Sequence, residues 1–168
     1  MPSGLSILVP AYNEEQTIVS ILELLFQTQL PDNMNKEVIV VNDCSTDRTP
    51  DLLNDFANKH PELPLRILHC PRNQGKGAAI RQAIALASLD YLVVQDADLE
   101  YDPSEFKVLL APLMAGKADV VYGSRFMGGK PHRILFFWHT VGNKFLTFLS
   151  NALTNLNLIL RTMNLNKF

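Results

Sequence analysis

The sequence predicts an α/β protein, a mostly parallel sheet with helices on both faces, in the Rossmann-like doubly wound class. Short runs of apolar and β-branched residues alternate along the chain with segments of helical periodicity, and strands that are apolar without interruption are strands buried on both faces. Each prominent polar cluster falls where one of these runs ends, the rim on which doubly wound sheets bind ligands.

Five runs read as strands: 5–9, 37–41, 65–68, 91–94 and 120–122. The first helix is expected to start with Asn13 as N-cap and Gln16 at the capping-box position. It carries Ile18, Ile21, Leu22, Leu25 and Phe26 on one stripe and ends near Pro31. The second has Thr49 as N-cap and Pro50 in its first turn, turns Leu52, Leu53 and Phe56 inward, and stops before Pro61. A third, 76–87, is expected to bury Ala79, Ile80, Ala83 and Ile84, and a fourth pairs Asp102 as N-cap with Pro103 and Glu105, ahead of Phe106, Leu109 and Leu110. No repeat or low-complexity linker breaks this order, so the 168 residues read as one domain with a basic, aromatic segment from residue 126 onward.

Four rim clusters carry chemistry. Tyr91-Leu-Val-Val-Gln-Asp96-Ala-Asp98-Leu-Glu100 ends an apolar run on packed carboxylates. A strand that stops on Asp-x-Asp aims Asp96 and Asp98 to the same face, so a divalent ion or a ribose hydroxyl pair can bridge them. The same acids also suit plain strand-end and helix-capping roles. Asn42-Asp43-Cys44-Ser45-Thr46-Asp47 offers a carboxylate to the base or ribose of a nucleotide, or forms an Asx turn. Asn73-Gln-Gly75-Lys76-Gly77 opens a helix whose free amides and Lys76 suit phosphate, or is a plain glycine-rich turn; it is not a P-loop, because Pro71 and Gly77 break that pattern. Gly123-Ser124-Arg125 ends the fifth run with a guanidinium able to clamp a diphosphate, as is Arg133, although exposed arginine is also commonplace. The G-x-G-x-x-G fingerprint is absent after the first strand, which argues against a nicotinamide enzyme, and the four histidines have no zinc spacing.

The net charge of -2 is unevenly placed. All 17 acidic residues lie in 1–119, which sums to -8, whereas 120–168 sums to +6 and suggests an anionic partner such as a phosphate or a membrane surface. Cys44 and Cys70 have neither metal spacing nor a disulfide framework and are read as reduced thiols. No signal peptide is indicated, and the charge-free stretch 145–160 is too short and polar for a span, so the expected location is the cytoplasm, peripherally at the inner membrane face. The stripe 134–153 suits either helix core or a membrane surface. No nucleic-acid partner is expected.

Taken in order, Pro10-Ala-Tyr12-Asn13-Glu14, Asn42-Asp43-Cys-Ser-Thr-Asp47, Asn73-Gln-Gly75-Lys76-Gly77, Asp96-Ala-Asp98 and Gly123-Ser-Arg125 make a chain that resembles family 2 glycosyltransferases of GT-A fold, in the dolichol-phosphate mannosyltransferase-like branch, over residues 5 to 157. The resemblance implies metal-dependent, inverting transfer of a hexose from GDP or UDP to a polyprenyl phosphate or saccharide acceptor. It makes 1–125 the nucleotide-sugar-binding core and 126–168 the acceptor side. Pro10, Tyr12, Glu14 and Asp43 would cradle base and ribose, with Lys76 beside them. Asp96 would lie near ribose and metal, Asp98 would coordinate Mg2+ or Mn2+, and Arg125 would face the diphosphate. Lys130 and Arg133 would serve the acceptor. From Asn157 onward the chain departs from the family pattern, and 120–168 holds no carboxylate to serve as a base, so the alternative expectation is an inactive nucleotide-sugar-binding fragment. An Asp-x-Asp phosphatase of the haloacid dehalogenase class places its pair after the first strand, not the fourth.

Overall fold

The computed structural model describes residues 4–99 and 101–121. Four strands, β1 (Gly4–Ala11), β2 (Asn35–Asn42), β3 (Leu65–His69) and β4 (Tyr91–Val94), form one sheet in the order β3-β2-β1-β4, and every pairing is parallel. Helices α1 (Ile18–Gln27), α2 (Thr49–Lys59), α3 (Lys76–Leu86) and α4 (Phe106–Met114) alternate with them, and short 3-10 turns occur at Pro31–Asn33 and Pro103–Glu105. The expected α/β class and its first four strands are therefore present. Of the expected fifth, Val120 and Val121 carry no strand pairing and Tyr122 lies outside the described residues. Glu100, Arg125, Lys130, Arg133 and the stripe 134–153 lie outside them too.

Alternation along the strands divides the core into two faces. Leu5, Ile7, Val9 and Ala11 of β1, with Val38 and Val40 of β2, pack with Ile18, Ile21, Leu22 and Leu25 of α1, Leu53 and Phe56 of α2, and Phe106 and Leu110 of α4. On the opposite face Leu8, Ile39 and Val41 meet Ala79 and Ala83 of α3. Small residues one turn apart bring α3 close to the sheet. Ile84, expected inside, is instead 47% exposed, because it projects from the flank of the Ala79–Ala83 line. Two helix starts also differ. α1 begins at Ile18 after a turn in which the Glu14 carbonyl accepts from the Thr17 and Ile18 amides, so Asn13 is not its N-cap. At α2 the capping acceptor is Asp47, whose Oδ1 takes the Thr49 amide at 2.9 Å, rather than Thr49 itself. Asp102 caps the 3-10 turn Pro103–Glu105 that leads into α4, accepting from the Ser104 amide at 2.9 Å, rather than α4 itself, which Glu105 precedes.

The end of the sheet away from the polar rim is closed by a buried polar cluster. Ser6 and Glu37 sit opposite each other in the β1–β2 register, and Glu37 Oε1 accepts from Ser6 Oγ at 2.7 Å and from the Ser88 amide at 2.7 Å. Arg66 lies 3.7 Å from the other oxygen and donates to the Leu86 carbonyl at 2.8 Å, fixing the α3–β4 turn. Burial pushes the Glu37 carboxyl up, but the hydrogen bonds from Ser6 and Ser88 and the Arg66 charge outweigh it and hold it below the usual carboxylate range. At the other end of α1, Lys36 Nζ closes the C-terminus by donating to the Leu25, Phe26 and Thr28 carbonyls.

Because the folded carboxyl of Glu37 titrates below its unfolded value, its contribution is complete above the unfolded pKa and is lost as pH falls through the folded one. Glu37→Ala, which leaves buried donors unpaired, is expected to cost about 2–3 kcal/mol at neutral pH and progressively less toward acid. Urea unfolding of both proteins across pH checks this; a constant difference down to the acid limit would contradict it.

Candidate functional site

The rim at the carboxyl ends of the strands is built by lacing two loops together. The β1–α1 loop and the β2–α2 loop exchange hydrogen bonds in both directions. Asn13 N donates to Ser45 Oγ at 2.9 Å and Thr46 N to Asn13 Oδ1 at 2.8 Å; Glu15 N donates to Asp47 Oδ2 at 3.1 Å and Arg48 N to Glu15 Oε2 at 3.1 Å; Glu14 N donates to Thr49 Oγ1 at 2.9 Å. These contacts hold Asn13 (φ 55°) and Cys44 (φ 60°) in the left-handed region, which Asn enters at little cost but Cys seldom does without such restraint. Partial burial pushes the Asp47 carboxyl up, and hydrogen bonds from Thr49 and the Glu15 amide more than offset this and keep it low. Asp47 is therefore held as a carboxylate.

The laced loops form one wall of a cleft of about 420 Å³ lined by Asn13, Glu14, Glu15, Gln16, Thr17, Asp47 and Asp98. Asp98 arrives from beyond β4. The strand stops at Val94, buried Gln95 donates to the Asp96 and Tyr101 carbonyls, and the chain turns through Ala97 to Leu99, at φ 57°. Asp96 and Asp98 are thus not alternate residues of a strand, and the shared-face expectation is corrected: both lie beyond the strand end, Asp98 within a turn. Asp98 borders the cleft, whereas Asp96 Oδ1 lies 2.6 Å from Lys76 Nζ at the start of α3.

Asp43 is 3% exposed, and its two carboxylate oxygens accept from the Gln74 amide at 2.9 Å and the Gly75 amide at 2.7 Å. The carboxylate therefore occupies the N-terminus of α3, where the helix dipole favours negative charge. Of the amides at this helix start, those of Gln74 and Gly75 are therefore taken by Asp43 and are not open to phosphate. Gly75, at φ 84°, makes the approach possible. Tyr12 stands 46% exposed on the rim and Pro10 is half-buried at the end of β1. The structure thus brings Glu14 and Asp98 to one cleft and joins Lys76 to Asp96, with Asp43 beneath α3. Asn13 and Asp47 lie in the rim clusters of the sequence and Glu15 was missed just beyond the first; their part in the cleft comes from pairings about thirty residues apart.

Among the described residues no group of three or more His, Cys, Asp or Glu side chains gathers to form a metal cage. The donor set fits a hard divalent ion of another kind, one taking one or two carboxylate oxygens from the protein and the remainder from phosphate and water. Cys44 and Cys70 are both free thiols, and no helix among the described residues is long and apolar enough to cross a membrane.

A parallel sheet in the order β3-β2-β1-β4, with a polar cleft outside the strand ends where the order reverses between β1 and β4, defines a ligand-binding α/β protein of the doubly wound class. The profile of glycosyl transferase family 2 matches residues 6–158, and the chain belongs to that family. It is 33% identical over 126 residues to a dolichyl-phosphate β-glucosyltransferase of Trichomonas vaginalis, covering 70% of this chain and 37% of the relative. To the dolichol-phosphate mannosyltransferase of Pyrococcus furiosus it is 29% identical over 133 residues, covering 79% and 36%. The chain thus spans a little over a third of the length of these relatives. Among solved structures, a mannosyltransferase of Pyrobaculum calidifontis in complex with GDP-Man and Mn2+ superposes with a TM-score of 0.56 at 30% identity, over 62% of this chain and 30% of that one. Glucosyl-3-phosphoglycerate synthase of Mycobacterium tuberculosis, with Mn2+, UDP and glucosyl-3-phosphoglycerate, gives 0.52 at 28% identity, over 66% and 39%. The fold is GT-A, as the order of motifs implied.

Asp43→Ala is expected to free the start of α3. Hydrogen exchange at the Gln74 and Gly75 amides should accelerate selectively, with a loss of roughly 2 kcal/mol in stability, the scale of hydrogen bonds to a charged acceptor. Unchanged protection at both amides would show that Asp43 does not hold them.

Proposed function

We propose that this chain carries the donor site of an inverting, metal-dependent glycosyltransferase that moves a hexose from GDP or UDP to a polyprenyl phosphate or a saccharide acceptor. The observation that carries the reading is the cleft at the β1/β4 crossover, with Glu14 and Asp98 on its wall and the Lys76–Asp96 pair beside it. The bound GDP-Man, UDP and Mn2+ of the structural neighbours and the dolichyl-phosphate acceptors in the names of the relatives support it.

In this reading Pro10, Tyr12 and Glu14 receive base and ribose, and Tyr12 offers its exposed ring to stack. Asp43 contributes from below by fixing the start of α3, from which Lys76 reaches the rim. Asp98 would hold a divalent ion, Mg2+ or Mn2+, with Asp96 near the ribose and available to the ion only if parted from Lys76. Such an ion would supply positive charge against the charge that builds on the leaving diphosphate. Lys76 adds a mobile cation on the same rim, and Arg125 is assigned a fixed one facing the diphosphate. A lipid phosphate acceptor is already anionic and attacks without a base, whereas a hydroxyl acceptor requires one. A single displacement inverts the anomeric centre. Lys130 and Arg133 are assigned to the acceptor phosphate, and the positive sum of 120–168 suits an anionic membrane surface at the cytoplasmic face.

Calorimetric titration with UDP- and GDP-sugars, each with Mn2+ and with chelator, tests the reading. One donor is expected to bind in a metal-dependent manner, and Asp98→Ala should abolish that dependence. Arg125→Ala should weaken the nucleotide diphosphate by tenfold or more, roughly the worth of a charge-assisted hydrogen bond, and leave the nucleoside nearly unchanged. Equal binding with and without chelator would remove the metal from the account. Donor binding without transfer to a polyprenyl phosphate would favour the inactive-fragment alternative.

A further inference from the structure

A chain of side-chain hydrogen bonds runs from the outer edge of the sheet to the cleft. Asn54 of α2 meets His69 Nε2 at 3.2 Å; His69 Nδ1 meets Asn42 Nδ2 at 3.0 Å; Asn42 Oδ1 accepts the Ser45 amide at 3.1 Å; and Ser45 Oγ accepts the amide of Asn13, which lines the cleft. The polarity of the chain is fixed at one point. The Ser45 amide can only donate, so the Asn42 atom facing it is the oxygen and the atom facing His69 is the amide nitrogen. His69 Nδ1 must then accept, and Nε2 carries the proton toward Asn54 Oδ1. The arrangement is complete only with a neutral imidazole in this tautomer.

A second proton on His69 breaks it. Nδ1–H would face the Asn42 amide hydrogens, donor against donor. Turning the Asn42 amide over cures that contact only by setting its nitrogen against the Ser45 amide, again donor against donor. With the Asn42 amide unturned only its link to His69 is lost; turned over, it takes from Ser45 the acceptor of both its amide, at 3.1 Å, and its hydroxyl, at 2.5 Å, which closes the turn around left-handed Cys44, and through Ser45 Oγ the disturbance reaches Asn13. Few other charges intervene. β2 presents Asn42 and then Asp43, whose carboxylate is bound to the Gln74 and Gly75 amides; α2 presents Asn54, with Asp51, Asp55 and Lys59 exposed to solvent; and Arg72, beyond β3, is exposed.

We infer that His69 is a positioning residue: its neutral form, acting through Asn42 and Ser45, holds the cleft loop of Asn13 in order, and its protonation loosens that loop. The consequence for donor affinity rests on the function proposed above, whereas the coupling itself does not.

Two-dimensional NMR of the isotope-labelled full chain, without ligand, tests it across the histidine range, about pH 5 to 8. The ring of His69 is expected in the Nε2–H tautomer at the upper end, and the Ser45, Thr46 and Asn13 amides should shift with the same midpoint as that ring. UDP or GDP binding should weaken roughly two- to tenfold over the same interval, the range for losing one hydrogen bond. His69→Gln, which offers Asn42 a carbonyl that does not titrate, should remove the dependence. Asn42→Asp, a carboxylate that favours the protonated ring, should move the ordered form to the acid side. If the three amides stay still while His69 titrates, the inference is overturned. Coupled amide shifts with no nucleotide binding at any pH would uphold it and overturn the donor-site reading alone.

Discussion

The rim depends on the reciprocal lacing of two loops that the sequence places about thirty residues apart. Neither the β1–α1 nor the β2–α2 loop has repetitive backbone of its own, and each supplies acceptors for the amides of the other: Ser45, Asp47 and Thr49 for 13–15, Asn13 and Glu15 for Thr46 and Arg48. The exchange satisfies backbone groups that helix and sheet leave unpaired, and it does so on the wall of the cleft. Parallel pairing of β1 and β2 over eight residues, Gly4↔Asn35 to Ala11↔Asn42, brings the two loops side by side, so the register of the sheet sets the geometry of the site.

Charge divides the molecule along the strands. At the closed end, Glu37 is satisfied by Ser6, Ser88 and Arg66 and has no ligand to meet. At the rim the carboxylates differ in duty: Asp43 is consumed by the start of α3, Asp47 by the loop lacing, Asp96 by Lys76, and Asp98 borders the cleft. Most of the acidic charge near the site therefore builds the site. A dense run of acids on one rim is tolerated in this way, because hydrogen bonds from amides and a lysine offset its charge.

The strands and the inward faces of α1, α2 and α4 were legible in the sequence because burial on two faces writes itself as continuous apolar runs, and burial on one helix face as a 3.6-residue stripe. Ile18, Ile21, Leu22 and Leu25 are all fully buried, as their spacing implies. Ile84 misled because α3 packs through alanines, where closeness of approach outweighs side-chain size. Asn13 looked like a helix cap because its side chain does accept a backbone amide; the amide belongs to Thr46, thirty-three residues away, which local patterns cannot reveal. The shared face expected of Asp96 and Asp98 is missing for a related reason, since where β4 ends depends on the turn that Gln95 stabilises. The rim as a whole was legible, and the assignment of its carboxylates to partners was not.

The most direct test of the account is a crystal structure of the chain with a nucleoside diphosphate and Mn2+, with the ion located by its anomalous signal. The account predicts an ion coordinated by Asp98 and by the diphosphate, in the cleft between that residue and the Asn13–Thr17 loop, while Asp43 keeps its hold on the Gln74 and Gly75 amides. A diphosphate bound at the start of α3 in place of the Asp43 carboxylate, or an ion held away from Asp98, would contradict it.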